Sequence, residues 1–430
     1  MAKDARFIRA DRYQTRWDFL DMEALLPSDH RVRVVMSFVE SLDLSDLYDA
    51  IKSREGEPGR PPPDPAVLLA LWLYATIEGV GSARQLDRLA QRDLAYRWIT
   101  GGVPLNYHGL SDFRVEHVEV LDRLLTESVT ALIAEGVVSL SEIVVDGTKV
   151  RANASRESFK TDNKLARIEA AVEQRLVALK AEIEADPEAS SRRKRAAQER
   201  AAREVKERAE RARAALDRVR AERKERAKRH SQDEAKKSKP KASLSDPDAR
   251  NMRFPDGAIG PAFNAQFAVT PNEGIIVSLA MTDRRNDAGL AAPMVDDVVR
   301  RYGQAPATLL VDTHYATSED IAALAAHAAG PVKVFAPERD DVTPRTLANR
   351  LRKRAREPES VKEWRSRMAT QDGQEVYRLR KLIERINANL KNHGFGFLPV
   401  RGLLKVKAVA LWHALANNLM AGHRLRTEVA

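Results

Sequence analysis

The periodicity of hydrophobic and polar positions changes along this chain near residue 140. Upstream of that point, apolar residues recur every three to four positions, which is the spacing of one helical face. Asp64 and Pro65 supply an N-cap and a first-turn residue for an apolar run that ends at Ile77, and a longer helical pattern begins near Ser111. This part of the chain is predicted to be a compact all-helical unit.

Downstream, short β-branched runs bounded by turn residues alternate with helical stretches. The predicted strands cover 141–149, 263–269, 275–281, 308–312 and 332–336. The predicted helices cover 289–302, a segment from Ser318 as N-cap to Ala328, and a closing apolar helix over 405–425. This order predicts an α+β fold in which a mixed sheet is flanked by helices.

A charged helical segment interrupts the strands. From 163 to 183, large apolar residues step by three and four as in a coiled-coil seam, and Asp186-Pro187 then breaks the pattern. A second run over 192–229 is dominated by Arg, Lys, Glu and Ala, and a basic linker, Lys236 to Lys241, follows. Two helices roughly 30 and 60 Å long would form a projecting hairpin. A solvated spacer and an arm that contacts DNA or a second subunit are equally compatible with this composition.

The charge balance points to a polyanionic partner. The net charge is +10 and the sequence pI is near 9.6, which suits nucleic acid or, equally, an anionic membrane surface. The longest apolar run is too short to span a bilayer, and the first residues lack the apolar core of a secretory signal. The absence of cysteine excludes disulfides, thiolate metal sites and cysteine nucleophiles, so a soluble cytoplasmic protein is expected. Positive charge is also dense over 343–368, which includes Arg350 to Arg356.

The stretch Tyr377 to Lys391 contains neither Pro nor Gly, and it is predicted to be one continuous helix with a buried apolar stripe. Tyr377, Arg380, Glu384 and Lys391 project from one side of that helix, because they are spaced by three, four and seven residues. A solvated helix, with Glu384 paired to Arg380 or Arg385, would explain the same pattern.

Two aspartates upstream end apolar strands. Asp146 opens the sequence Asp146-Gly147-Thr148-Lys149, and Asp312 is followed two residues later by Tyr315. An aspartate at a strand end is often only a turn former. Two such strands ahead of the glutamate helix, each with its own polar context after the aspartate, are much less expected by chance than one. If these carboxylates acted together, the lack of Cys and of clustered His would make a hard oxygen site that suits Mg²⁺ or Mn²⁺.

From about residue 15 to residue 425, the chain resembles the DDE transposases of bacterial insertion sequences, specifically the branch with a Tyr-Arg-Glu-Lys signature. Tyr377, Arg380, Glu384 and Lys391 fit that signature without a gap. The resemblance implies a ribonuclease-H-like core in which Asp146, Asp312 and Glu384 are the catalytic residues and hold two Mg²⁺ or Mn²⁺ ions. Tyr377, Arg380 and Lys391 would contact DNA.

The same resemblance implies a division of the chain and a set of partners. Residues 1–135 would be a helical DNA-binding domain in which Arg84 and Arg114 face phosphate. Residues 140–160 and 243–430 would form the catalytic domain, and 161–242 the helical insertion with its linker. The partner would be double-stranded DNA, namely the terminal inverted repeats of the element and the target DNA. A homodimer on DNA, in the cytoplasm and associated with the nucleoid, is expected.

Some positions depart from the usual pattern of the branch. Thr270 stands where many relatives carry Asp, Phe263 where Tyr is common, and His314 where a small residue is frequent. His314 could transfer protons or could be an ordinary surface histidine. A catalytically inactive DNA-binding descendant and a structural protein built on the helical hairpin are the two alternatives. The intact set of three acids argues against loss of activity, and the hairpin is a small share of the chain.

Overall fold

The structure is a computed structural model and describes residues 21–51, 53, 61–185, 189–229, 239–338, 354 and 357–429. Seven helices form its N-terminal part: α1 (Arg31–Glu40), α2 (Ser45–Asp49), α3 (Pro65–Ile77), α4 (Ala83–Arg92), α5 (Leu94–Thr100), α6 (Tyr107–Glu116) and α7 (Val118–Ala134). Helix α3 is buried along almost its whole length, since nearly every one of its residues is apolar. It is therefore the central helix of this region.

Local signals in the sequence set most of these helix starts. The Asp64 carboxylate accepts a hydrogen bond from the N–H of Ala66 (2.8 Å), and the Ser82 hydroxyl accepts one from the N–H of Gln85. The predicted helix that begins near Ser111 is wrong in its bounds, because two helices meet at His117. That residue has φ −103° and ψ 44°, which lie outside the helical region, and its ring packs on Phe113.

The described part of the chain contains eight strands: β1 (Glu142–Arg151), β2 (Phe159–Lys160), β3 (Ala242–Ser243), β4 (Arg250–Arg253), β5 (Ile259–Val269), β6 (Ile276–Thr282), β7 (Thr308–Leu310) and β8 (Lys333–Phe335). Six of them form one sheet in the order β4-β5-β1-β7-β8, with β6 also paired to β5. Strand β5 runs antiparallel to β1 and β6, whereas β1, β7 and β8 run parallel. The predicted mixed sheet is thereby confirmed. The parallel pairing places the end of β7 beside Val144, and β1 continues beyond this point to Arg151.

Between β2 and β3 lie the two long helices of the insertion, α8 (Asp162–Ala185) and α9 (Ala189–Arg229). They pack along a seam of apolar side chains, namely Leu165, Leu176, Leu179, Ala212 and Leu216. Ion pairs cross between the helices from Arg213 to Glu169 (2.6 Å) and from Lys206 to Glu173 (2.7 Å). The predicted break at Asp186-Pro187 and residues 236–238 of the basic linker lie outside the described residues.

The other α-helices among the described residues are α10 (Ala291–Tyr302), α11 (Ser318–Ala325), α12 (Glu359–Ala369), α13 (Gln371–Arg378), α14 (Lys381–Leu390) and α15 (Leu403–Val429). Helix α11 is capped by Thr317 and not, as predicted, by Ser318, because the Thr317 hydroxyl accepts the N–H of Asp320. No described helix combines the length and the apolar character that a membrane span requires.

The C-terminal helix α15 joins the two parts of the chain. It packs on α3, α6 and α7 and also on β6, and its fully buried Trp412 donates a hydrogen bond to the backbone oxygen of Arg114 (2.8 Å). On the sheet side, Asn418 bonds both the N–H and the C=O of Ile276. One hydrophobic core consequently runs without interruption from the N-terminal helices into the sheet. The domain boundaries drawn from the sequence stay a prediction.

Candidate active site

Strands β1 and β7 bring Asp146 and Asp312 to one edge of the sheet. Strand β7 pairs only with the first three residues of β1, Glu142 to Val144, so Asp146 lies just beyond the end of that pairing. Asp312 lies two residues after the last residue of β7. Because the strands are parallel neighbours, both carboxylates emerge on the same side of the sheet.

Glu384 lies in the first turn of α14, and its side chain is 62% exposed. The continuous helix predicted over 377–391 is wrong in one respect, since a turn at Leu379 and Arg380 separates α13 from α14. The N–H groups of both turn residues bond to carbonyls three residues back, which is tighter than α-helical geometry. Ile383 and Ile386 of α14 are buried in the core, whereas α13 packs on α12 and β8.

A single guanidinium group contacts all three acids. Arg380 Nη2 lies 3.3 Å from Asp146 Oδ1 and 4.0 Å from Asp312 Oδ2, and Nη1 lies 3.2 Å from Glu384 Oε1. Since the first two contacts share one nitrogen, the two aspartate oxygens are no further apart than the sum of 3.3 and 4.0 Å. The structure thus brings together three acids that lie far apart in the sequence.

Burial shapes the electrostatics of this cluster. It raises the pKa of Asp146 to about 6, although the neighbouring Arg380 acts to lower it. Burial acts against the charge of Arg380 as well, but Asp146 and the other acids hold its pKa above the ordinary value. Burial lowers the pKa of Lys391, and the nearby Asp146 carboxylate acts against this effect. Burial raises the pKa of Tyr377. Ionisation of Asp146 therefore costs free energy in this buried position unless a cation compensates its charge.

The residues fit a divalent cation by their chemistry. Three carboxylates offer hard oxygen ligands, and the position between them is already taken by a positive group, the guanidinium of Arg380. Within the described ranges, no three acidic or histidine side chains are placed to coordinate one ion as they stand. Coordination would therefore require Arg380 to move away from the acids.

Sequence reasoning missed several polar side chains beside Asp146. Asn387 is buried one turn after Glu384 and donates from Nδ2 to Asp146 Oδ2 (3.0 Å). Gln266 and Asp287 lie against Gly147, the next residue of β1. In the sequence, a usable signal existed only for the amide side chains of Asn387 and Gln266. An amide that is buried on an apolar helix stripe or in an apolar strand needs a specific hydrogen-bond partner.

The two arginines predicted to face phosphate in the N-terminal region differ in position. Arg84 is exposed on α4, with its guanidinium 4.9 Å from the centre of the Tyr107 ring. Arg114 is only 6% exposed, lies 4.7 Å from the centre of the Trp72 ring and donates to the backbone oxygen of Gly81. Its burial lowers the pKa of Arg114 to about 10. The predicted phosphate contact of Arg114 does not fit this position, because its charge is already buried against other protein groups.

The departures from the branch pattern do not alter the three acids. Thr270 is buried and bonds Ile275 within the β5–β6 turn, and Phe263 is part of the core. His314 is exposed, with Nδ1 3.7 Å from Asp312 Oδ2. Most of the basic stretch Arg350 to Arg356 lies outside the described residues, and its described residue, Arg354, pairs with Glu338.

A mixed sheet with one aspartate on its first strand and a second aspartate just after a parallel neighbour of that strand, joined by a glutamate from a later helix, is typical of the ribonuclease-H-like class of folds. Residues 251–420 match the family model described as the transposase DDE domain, and residues 20–116 match the transposase domain (DUF772). Together the two matches cover more than half of the chain, which belongs to the DDE transposases of insertion sequences.

The matched segments contain Asp312 and Glu384 but not Asp146, so the position of the first acid rests on the sheet register and on its contacts with Arg380 and Asn387. No curated protein and no solved structure gives a match. Enzymes of this family act on DNA and use divalent metal ions. Membership of the branch with the Tyr-Arg-Glu-Lys signature stays a prediction.

Proposed function

We propose that this transposase cuts DNA at the ends of its insertion sequence and joins those ends to target DNA at one site formed by Asp146, Asp312 and Glu384. The observation that carries the proposal is the contact of one guanidinium with all three acids. Like charges gather in this way only where a cation compensates them. Three carboxylates, from the middle of β1, from the segment after β7 and from a late helix, are otherwise costly to bring together.

The three acids would hold two Mg²⁺ or Mn²⁺ ions. When bound, such a pair would supply activation of water or a DNA 3′-hydroxyl and stabilisation of the leaving oxygen in a phosphodiester displacement. Arg380 keeps the acids together before ions bind, and it is then free to hold a DNA phosphate. Burial lowers the pKa of Lys391, and the nearby Asp146 carboxylate acts against this effect. Lys391 is the second phosphate contact, and the half-buried Tyr377 borders the cleaved strand.

DNA outside the site would be held by the N-terminal helices. Helix α4 exposes Arg84, Arg88 and Arg92, and the chain has a net charge of +10. Phosphate contacts of this kind bind without sequence selectivity. The terminal inverted repeats and the target DNA are the proposed ligands, with the protein acting as a homodimer. Arg114 is left out of this surface because it is buried.

A cleavage assay on plasmid DNA that carries the element's own ends tests the proposal. The wild-type protein should cut at the ends in the presence of Mg²⁺ or Mn²⁺. Asp146→Asn, Asp312→Asn and Glu384→Gln should each abolish cleavage and keep DNA binding. Glu375→Gln is the matched control, since Glu375 lies on α13 outside the acid cluster. Wild-type cleavage by any of the three acid variants would contradict the proposed site.

A further inference from the structure

A polar network lies directly beside the strand that carries Asp146. Asp287, in the segment after β6, accepts hydrogen bonds at Oδ1 from Asn264 Nδ2 (2.7 Å) and Gln266 Nε2 (2.9 Å). Gln266 Oε1 in turn accepts a hydrogen bond from the Tyr315 hydroxyl. These four residues, Asn264, Gln266, Asp287 and Tyr315, are called the amide network below.

The amide network joins three separate parts of the chain, and three of its four members are buried, whereas Asp287 is half-buried. Asn264, Gln266 and Tyr315 are each 1% exposed, and polar groups buried so deeply are stable only when they are hydrogen-bonded. Asn264 and Gln266 lie on β5, whereas Tyr315 belongs to the segment that begins with Asp312. Asp287 is the acceptor that both amides share, so the connection from β5 to the segment after β6 depends on it.

The network also explains why glycine follows Asp146. A Cβ atom on Gly147 would lie 2.4 Å from Gln266 Nε2 and 2.7 Å from Asp287 Oδ1. Real Cβ atoms do not approach other atoms so closely, and any side chain at this position would displace both groups. The amide network therefore passes directly over the backbone of the residue next to Asp146.

Tyr315 connects the network to the second acid. The N–H of Tyr315 bonds to the backbone oxygen of Asp312 (3.0 Å), and the N–H of Thr313 bonds to the Asp312 carboxylate (2.6 Å). The turn that carries Asp312 is thus closed by the same residue whose hydroxyl is fixed by Gln266. Holding Tyr315 in place holds the turn, and with it the distance between Asp146 and Asp312.

We propose that Asp287 is a positioning residue of the active site, which acts through Gln266 and Tyr315 to hold the Asp312 turn against the strand of Asp146. This inference rests on the proposed function, because it assumes that Asp146 and Asp312 bind metal together. Asp287 carries no reacting atom in this role. Its removal should loosen the pair of aspartates and leave the fold of the sheet in place.

Binding of Mn²⁺ to the full-length protein without DNA, followed by electron paramagnetic resonance, tests the proposal. Asp287→Ala should weaken Mn²⁺ binding roughly tenfold, which corresponds to about 1.4 kcal/mol. Tyr315→Phe removes only the hydroxyl and should weaken binding several-fold. The double variant should bind no more weakly than Asp287→Ala alone, because the two residues act through one chain of hydrogen bonds.

Asp297→Ala is the matched control. Asp297 is a partly buried carboxylate on α10 that also accepts several hydrogen bonds, from Ser278, Arg300 and Arg301, and its bonds lie outside the amide network. It should lower thermal stability without changing Mn²⁺ affinity. Hydrogen exchange gives a second readout: Asp287→Ala should speed exchange over 312–317, and Asp297→Ala should not.

The outcomes distinguish a failure of the proposed function from a failure of the positioning role of Asp287. Equal Mn²⁺ binding by the wild-type protein and Asp146→Asn would overturn the proposed function. If Asp146→Asn loses Mn²⁺ while Asp287→Ala binds like the wild-type protein, the positioning role is wrong and the metal site stands. Equal loss in Asp287→Ala and Asp297→Ala would reduce Asp287 to a general contributor to folding. If Asp287→Ala does not fold, Tyr315→Phe decides alone, and unchanged binding and exchange in that variant overturn the role.

Discussion

Replacing Asp146 by Asn should stabilise the metal-free protein. Burial raises the pKa of Asp146 from 3.8 to about 6, and each unit of such a shift corresponds to 1.36 kcal/mol. The Asp146 carboxyl group therefore holds its proton more tightly in the folded state than in the unfolded chain. The resulting stability is fully present below the unfolded pKa and is lost as the pH rises to the folded pKa. Above that pH, the ionised Asp146 costs about 3 kcal/mol.

Asn has nearly the shape of Asp and carries no charge, so Asp146→Asn avoids this cost. The free energy of unfolding of Asp146→Asn should exceed that of the wild-type protein only slightly near pH 4. The difference should grow up to about pH 6 and stay constant above it. With an unfolding entropy of about 2.1 cal/mol/K per residue, about 3 kcal/mol in a chain of 430 residues corresponds to a Tm higher by about 3 °C at pH 8. Thermal unfolding in EDTA across this pH range measures the difference. Added Mn²⁺ should raise the Tm of the wild-type protein only.

Asp297→Asn serves as a control of opposite sign. Burial acts to raise the pKa of Asp297, but hydrogen bonds from Arg301 and Ser278 outweigh burial and lower it. Its ionised form stabilises the fold above the unfolded pKa, so Asp297→Asn should lower the Tm at pH 8, and the loss should fade as the pH falls. A Tm difference between the wild-type protein and Asp146→Asn that does not change with pH would refute the reasoning about Asp146.

Three further predictions concern single side chains. Arg380→Ala and Lys391→Ala should each lower the salt slope of DNA binding by about one, measured by fluorescence anisotropy across salt concentrations, because each removes one phosphate contact. Gly147→Ala should destabilise the protein by about 1–3 kcal/mol in urea unfolding and weaken Mn²⁺ binding, whereas Gly396→Ala, which meets no atom within 4 Å, should do neither. Arg114→Met should lower the Tm and leave the salt slope unchanged, since Arg114 is buried; a shallower slope would return it to the DNA surface.

The sequence predicted those parts of the fold that depend on local patterns. The β-branched runs before Asp146 and Asp312 are strands because their composition favours them, and parallel pairing of their strands brings both residues to one edge. The start of α3 is likewise set by Asp64 and Pro65. Such features lie within a few residues of their cause, so one sequence is enough to find them.

Features set by distant contacts were missed. The turn at Arg380 has no local cause, since no helix-breaking residue lies there, and it follows from how α13 and α14 pack on different neighbours. Arg114 has the spacing of a surface residue, yet the Trp72 ring and the Gly81 carbonyl surround it. Asp287 and Tyr315 meet through Gln266, and no periodicity in the chain marks that meeting.

The core that α15 shares between the N-terminal helices and the sheet bears on how such chains can be recombined. Arg301 on α10 is almost fully buried and pairs with Asp122 on α7 (2.6 Å), and Lys407 on α15 contacts the same carboxylate (3.2 Å). The N-terminal helices and α15 are therefore complementary surfaces of one packed interior. A hybrid that takes its N-terminal helices from a relative would also need that relative's last helix, so the two ends should be inherited as a pair.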